Sequence, residues 1–109
     1  MAKKRVDRAR VHVNATYNNT ILTLTDPEGH VLAWSSPGAV GFKGSRKGTP
    51  FAAQRAAERL MDKMREFGVQ SVTITIRGTG SGRNSVTNSF KGSDFRVEEI
   101  KNITPVAHS

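Results

Sequence analysis

The stretch TPFAAQRAAERLMDKMREFGVQSVTITIR, residues 49–77, decides the fold class because a helix pattern passes directly into a strand pattern. Thr49 can cap the helix, and Pro50 suits its first turn, where a missing N–H costs nothing. Gly68 is a typical stop. Apolar residues recur at helical spacing between these signals, at Ala53, Ala56, Ala57, Leu60, Met61, Met64 and Phe67.

The second half of the stretch places Val72, Ile74 and Ile76 on one face of a strand over residues 69–77. A strand that follows a helix enters its sheet through a crossover connection, which allows parallel pairing. The stretch therefore predicts an α/β fold.

Upstream, residues 11–36 predict an antiparallel meander of three strands. Asn18 and Asn19 are expected to form a two-residue hairpin turn, because Asn tolerates the positive φ that such turns demand. Tyr17 is expected on the apolar face of the first strand, and Asp26–Gly29 is expected to form a type I turn. The three strand patterns are VHVNATY (11–17), TILTLT (20–25) and HVLAWSS (30–36).

Downstream, residues 78–83 (GTGSGR) predict a glycine-rich loop, residues 84–90 a short helix and residues 96–103 a last strand. Residues 37–48 contain four glycines and predict another loop. Residues 1–10 carry no apolar period and are interpreted as a flexible basic arm before a single domain over 11–109. A two-layer or three-layer α/β domain with a mixed sheet follows.

The charge of this 109-residue chain is large and unevenly distributed, with 17 Lys and Arg against nine Asp and Glu, a formal net charge of +8. Residues 1–10 hold five basic groups and one acid, residues 29–57 four and none, and residues 67–93 three and none. Such segregation favours a polyanionic partner over an evenly solvated surface, which is the alternative reading of a charge run.

Catalysis finds little support in the sequence. The chain has no cysteine and no apolar run long enough to span a bilayer, and it shows no secretory signal, so an intracellular protein is expected. His12, His30 and His108 have no nucleophile or carboxylate partner by spacing. Glu98 and Glu99, adjacent on a strand, would point to opposite faces. We predict no catalytic residue, no metal site and no cofactor.

The segment GFKGSRKGTP, residues 41–50, is the clearest candidate for a binding site. It leads into the helix N-terminus, where unbonded N–H groups and the helix dipole favour a phosphate. Lys43, Arg46 and Lys47 add mobile cations, of which Arg46 and Lys47 are expected to be exposed, and the glycines let the backbone approach closely. A phosphate grip on RNA is therefore predicted.

GTGSGR has two interpretations. As a nucleotide loop it would mark an enzyme acting on nucleotides, but its spacing matches neither the dinucleotide fingerprint nor the P-loop. Alternatively its N–H groups form a nest for backbone phosphate with Arg83 beside it.

The aromatic residues do not predict a base-stacking platform. Trp34, Phe51, Phe67 and Phe95 are expected in the core or at its margin. Recognition of folded RNA by shape and phosphate is favoured instead.

Together, ATYNNTILTLTD, GFKGSRKGTPFAAQRAAER, GTGSGR, FRV and ITPVAH resemble the universal S-eleven family, the eleventh protein of the small ribosomal subunit. The resemblance is collinear from about Val11 to His108. It implies a non-enzymatic, ribonuclease H-like three-layer α/β domain with a mixed five-stranded sheet. Along the chain, the antiparallel three-strand meander is followed by helix, strand, helix and strand.

The resemblance also implies partners and contacts. The implied partners are small-subunit ribosomal RNA in the platform and neighbouring platform proteins, near the path by which messenger RNA leaves. The implied location is a cytoplasmic, mitochondrial or plastid ribosome, and no membrane is among the implied partners. A module that works off the ribosome is the alternative. The implied RNA contacts are Lys3, Lys4, Arg5, Arg8, Arg10, Asn18, Asn19, Gly41, Lys43, Gly44, Ser45, Arg46, Lys47, Gly48, Thr49, Gly78, Gly80, Gly82 and Arg83.

This chain departs from the family pattern at three places. Thr79 and Ser81 stand where prolines are common, and Asn84 and Asn88 stand where an acid and an arginine are common. Members usually continue past the histidine with Asn-Gly-Cys-Arg-Pro and a basic tail, so RNA contacts of that tail are expected to be missing.

Overall fold

The computed structural model describes residues 5–80 and 82–103, and the α/β class with a mixed five-stranded sheet is as predicted. Two 3₁₀ helices, Pro37–Val40 and Gly44–Gly48, lie within the predicted loop before the long helix. The strands and α-helices are β1 (Arg8–Thr16), β2 (Asn19–Thr25), β3 (Val31–Ser35), α1 (Pro50–Glu66), β4 (Ser71–Arg77), α2 (Gly82–Lys91) and β5 (Arg96–Asn102).

The sheet has the strand order β3-β2-β1-β4-β5. β2 is antiparallel to both β1 and β3, whereas β1, β4 and β5 are mutually parallel and are joined by helical crossovers. Strands β1, β3, β4 and β5 therefore finish at the same end of the sheet, here called the carboxyl end. Both helices also begin there, because each follows a strand that finishes at this end.

The core lies between one face of the sheet and the two helices. Alternate residues of β1 are buried, and they join side chains of β2, β4, α1 and α2 in one apolar cluster. The opposite face, here called the open face, carries Arg8, Arg10, His12 and Asn14 of β1, all exposed. Within the described residues no helix covers this face.

Strand β1 begins three residues earlier than the predicted one. Arg8 and Arg10, assigned to the basic arm by sequence, belong to the strand, because Ala9 between them is buried against the core. Val6 is also buried, and its N–H donates to the Phe67 carbonyl at 2.9 Å. Lys3 and Lys4 lie outside the described residues.

The hairpin turn differs from its prediction. Thr16 pairs with Asn19, so the turn residues are Tyr17 and Asn18, and Tyr17 is 86% exposed instead of lying on the apolar face. No described non-glycine residue has a positive φ, so Asn does not supply one here. The turn is held by side chains instead: Thr16 Oγ1 donates to Asn18 Oδ1 at 3.0 Å, and the Thr20 N–H donates to Asn19 Oδ1 at 2.9 Å. The turn at Asp26–Gly29 has the predicted bond, from the Gly29 N–H to the Asp26 carbonyl at 3.0 Å.

Helix α2 begins at Gly82, two residues before the predicted start, although its Ser, Thr and Asn residues are weak helix formers. Burial of Val86 and Phe90 against the core provides the tertiary stabilisation that local propensity lacks.

In β5, a bulge at Glu98 explains the loose alternation of the sequence, since it allows Val97 and Ile100 to pack against the same core.

Two of the aromatic residues are not in the core. Trp34 and Phe51 are each 59% exposed, whereas Phe95 is buried and Phe67 half-buried, as predicted. Trp34 pairs with Thr23, whose side chain lies on the open face, and Phe51 occupies the first turn of α1. The prediction that all four belong to the core or its margin was therefore wrong for Trp34 and Phe51.

Candidate nucleic-acid interface

The loop before α1 lies directly against the hairpin turn. A Cβ on Gly48 would lie 2.8 Å from the Asn18 Cα and would overlap the Tyr17 carbonyl oxygen. Only glycine permits such a close backbone approach. Gly48 thereby fixes the predicted cationic loop beside Asn18 and Asn19.

The second glycine-rich loop lies against the end of β1, where glycines again permit a close approach of the two backbones. A Cβ on Gly78 would lie 2.9 Å from the Ala15 carbonyl carbon, and a Cβ on Gly80 would lie 2.6 Å from that of Thr16. The Gly80 N–H donates to the Ala15 carbonyl at 3.1 Å. Hairpin turn and both loops therefore converge at the carboxyl end of the sheet.

These contacts bear on both interpretations of GTGSGR. The Gly80 N–H is already bonded to β1, and Gly80 and Gly82 are buried, so this backbone is used for packing. A Cβ on Gly82 would also crowd Ala53 of α1 at 3.0 Å. The interpretation as a nucleotide loop therefore loses its support. In the nest interpretation, the backbone of the loop serves only to position the neighbouring side chains.

The start of α1 is capped as predicted. The Ala52 N–H donates to Thr49 Oγ1 at 3.1 Å, the Ala53 N–H to the Thr49 carbonyl at 3.1 Å, and Thr49 Oγ1 donates to the Arg46 carbonyl at 2.9 Å. Because Pro50 has no N–H, the expectation of several unbonded donors at this helix end was wrong. A phosphate here depends mainly on side chains.

Replacing Thr49 with Ala is expected to lower the free energy of unfolding by about 1 kcal/mol, because both bonds of the hydroxyl are lost. Thr49→Ser keeps the hydroxyl and should cost a few tenths of that at most. Urea unfolding of the two variants measures the difference, and equal stabilities would contradict a capping role.

The cations of the loop before α1 are unequally exposed. Lys43 and Arg46 are exposed and border a shallow cavity of about 310 Å³ beside Phe42. Lys47 is half-buried, contrary to expectation, and its stem lies near Gly38, where an added Cβ would be 4.0 Å from Lys47 Cδ. Arg83 is also half-buried, and its guanidinium donates to the Gly78 carbonyl at 3.3 Å.

The predicted arm residues lie elsewhere. Arg5 is ion-paired with Asp7 at 3.0 Å and lies near Gly68 beyond the end of α1, where an added Cβ would be 3.4 Å from Arg5 Cγ. Arg8 is ion-paired with Glu98 at 3.1 Å. Strand β1 separates Arg8 from the hairpin by roughly 25 Å at about 3.3 Å per residue. These cations therefore do not join the convergent loops, and Arg10 lies between them on the open face.

The two ends of the domain have opposite electrostatic character. The nine acidic residues are absent from residues 29–57 and 67–93, which supply both loops at the carboxyl end. The opposite end contains Asp7, Asp26, Asp94 and the start of β5 with Glu98 and Glu99. Anions should therefore be attracted to the carboxyl end.

Two residues of this end were missed by the sequence analysis. Arg77 is exposed at the last position of β4, and its alternation with Thr73 and Thr75 could have placed it on the open face. Tyr17 was missed because the strand pattern appeared to continue through it.

A cluster of possible metal ligands was also unanticipated. One ligand atom each of Asp26, Glu28 and His30 lies within 4.8 Å of the others. However, Asp26 accepts the N–H groups of Glu28 and His30 at 2.9 Å each, and its second oxygen lies 3.1 Å from His30 Nδ1. The carboxylate is thus engaged in holding the turn.

The fold and its cationic end define an α/β domain of the polyanion-binding class. The family described as ribosomal protein S11 matches this chain over residues 9–109. The chain therefore belongs to the ribosomal protein S11 family.

Membership supplies the identity of the polyanion. The family consists of structural, non-enzymatic proteins of the small ribosomal subunit that bind ribosomal RNA and serve translation. The location is thus the ribosome, in the cytoplasm or an organelle. None of the described helices is long and apolar enough to cross a membrane.

Proposed function

We propose that this protein holds folded ribosomal RNA at the carboxyl end of its sheet and thereby supports assembly of the small subunit. The RNA lies in the platform, near the path by which messenger RNA leaves and beside other platform proteins. Lys43, Arg46 and Lys47 contact RNA phosphates, with Ser45 and Thr49 as polar neighbours. Asn18 and Asn19 contribute from the hairpin turn and Arg83 from the second loop.

The convergence of three segments at one acid-free end is the observation that carries this proposal. Glycines at 48, 78 and 80 bring the segments together by backbone contact, so the binding groups are positioned before RNA arrives. Preorganisation of this kind lowers the entropy cost of binding. Lys43 and Arg46 remain exposed and can neutralise phosphates without rearrangement of the core.

Binding to a fragment of small-subunit ribosomal RNA is expected to weaken steeply with salt. Four cations at the carboxyl end, each neutralising one phosphate, give a slope of about −2.8 to −3.6 in log K against log [salt]. Titrations between low and moderate salt measure this slope. An affinity that hardly changes with salt would contradict the electrostatic grip.

The alternative of a module that works off the ribosome differs in where the protein is found. Sedimentation of a cell extract should place nearly all of it with small subunits. A large free pool would favour the alternative.

A further inference from the structure

The open face of the sheet is unlike a merely solvated strand surface. Its central row runs through Trp34, Thr23, His12, Thr75 and Lys101, which are cross-strand neighbours in the register of all five strands. Aromatic or imidazole rings thus alternate with small threonines. The threonine at Thr23 leaves room between Trp34 and His12, which are two strands or about 10 Å apart.

A shallow cavity of about 180 Å³ lies on this face. His12, Asn14 and Thr75 supply hydrogen-bonding groups to it, and Ile21, 43% exposed, supplies an apolar wall. This mixture suits a planar group with polar edges, such as a nucleobase, because stacking needs an apolar or aromatic surface and the edges need partners.

The charge of the face also favours nucleic acid. Arg10 and Arg77 are exposed and form no ion pair within the described residues, whereas Arg8 and Lys101 at the β5 side are paired with glutamates. The unpaired arginines flank His12, since Arg10 lies two residues before it on β1 and Arg77 pairs with Asn14 two residues after it. Two unneutralised guanidiniums on either side of a cavity attract a ligand with regularly spaced negative charges.

The open face is continuous with the carboxyl end. Arg77 directly precedes Gly78 of the second loop, and Asn14 lies three residues before the hairpin turn. A strand of RNA that leaves the convergent loops therefore meets Arg77 and Asn14 first. No helix of the described chain blocks that path.

We propose that the open face binds an unpaired RNA strand, with one base over His12 beside Ile21, its neighbour against Trp34, and phosphates on Arg77 and Arg10. This deepens the proposed function, because the strand continues from RNA that is held at the carboxyl end. Paired RNA does not fit, since its bases are stacked on each other and are not available to Trp34 and His12.

The single tryptophan of the chain makes the open face directly observable. A ten-nucleotide oligoadenylate is expected to quench Trp34 emission of the full chain saturably in 50 mM salt, and an RNA duplex of equal length to leave it unchanged. Arg10→Ala/Arg77→Ala should weaken the oligonucleotide affinity at least tenfold. The matched control Arg55→Ala/Lys91→Ala removes the same charge from exposed positions on α1 and α2, away from the open face, and should weaken it less than threefold.

Four outcomes would overturn the inference: no quenching, equal quenching by the duplex, equal loss in both double variants, or equally strong binding of an oligoglutamate peptide. The failure of the proposed function itself is distinguishable. That function requires Lys43→Ala/Arg46→Ala to impair binding of the folded ribosomal RNA fragment, whereas oligoadenylate quenching should survive in that variant.

His12 offers a second readout. Partial burial, Arg10 and Arg77 lower the pKa of His12 below its ordinary value of 6.5. Its other neighbours are the Thr25 hydroxyl at 3.4 Å and, across Thr75, Lys101. Bound phosphates offset the two arginines, so the NMR-detected pKa should rise with oligoadenylate, and binding should tighten as the pH falls through the His12 pKa of the complex towards that of the free protein. An unchanged His12 pKa in the presence of saturating RNA would place the strand elsewhere.

Discussion

Replacing Gly78 with Ala is expected to destabilise the domain by about 2–5 kcal/mol. Its φ of +94° is costly for an L residue, by about 1–2 kcal/mol, and the new Cβ would overlap the Ala15 carbonyl oxygen. Overlap with the backbone of a central strand cannot be relieved by a rotamer change, which adds about 1–3 kcal/mol. Because a domain of this size is stable by only about 5–15 kcal/mol, most of its stability could be lost.

Gly29 supplies a matched control. Its φ of +96° is almost the same, but a Cβ there would meet nothing within 4 Å. Gly29→Ala should therefore cost about 1–2 kcal/mol from the backbone conformation alone. Urea unfolding at low temperature gives both values, and their difference isolates the overlap with β1. Equal losses in the two variants would show that the second loop is not held against β1.

The sequence predicts most where the structure is decided locally. Helix α1 begins and ends where Thr49, Pro50 and Gly68 indicate, because caps and helical periodicity act over a few residues. The parallel entry of β4 into the sheet also followed from its position after a helix. By contrast, β1 began earlier than predicted because burial of Ala9 depends on α1 and β4, which are distant in sequence.

Prediction from the sequence was less successful for the candidate site than for the fold. A glycine-rich loop beside basic residues suggests a backbone near phosphate, but Gly48, Gly78 and Gly80 approach the protein's own carbonyl oxygens. Both uses require glycine, so composition cannot separate them. Nor could the sequence place Trp34, since a bulge at Leu32 of β3, opposite Leu24 and Thr25 of β2, interrupts the alternation that assigns residues to faces.

Exposure of the cations likewise depends on packing that is not local. Lys47 is half-buried, unlike Lys43 and Arg46, and its stem lies near Gly38 of the preceding 3₁₀ helix. A charge-removal experiment on the loop should therefore use Lys43 and Arg46, whose replacement leaves packing intact.

Lys43→Ala/Arg46→Ala is expected to weaken binding of the ribosomal RNA fragment by about 30-fold in 0.1 M salt. Each lost phosphate contact removes about 0.7–0.9 from the salt slope, which is about 0.8 of a decade in affinity between 1 M and 0.1 M salt. The slope should thus fall by about 1.5. Stability should change by less than about 0.5 kcal/mol, because both side chains are exposed.

The control for this variant is Lys91→Ala/Arg96→Ala, which carries the same net charge but loses cations far from the carboxyl end. A general electrostatic attraction would weaken both double variants alike, because it depends on net charge. A localised grip weakens only the first, since counterions are released where phosphates and cations are in contact. Filter binding at several salt concentrations separates the two cases, and equal slopes in both variants would reject the carboxyl end as the place where RNA is held.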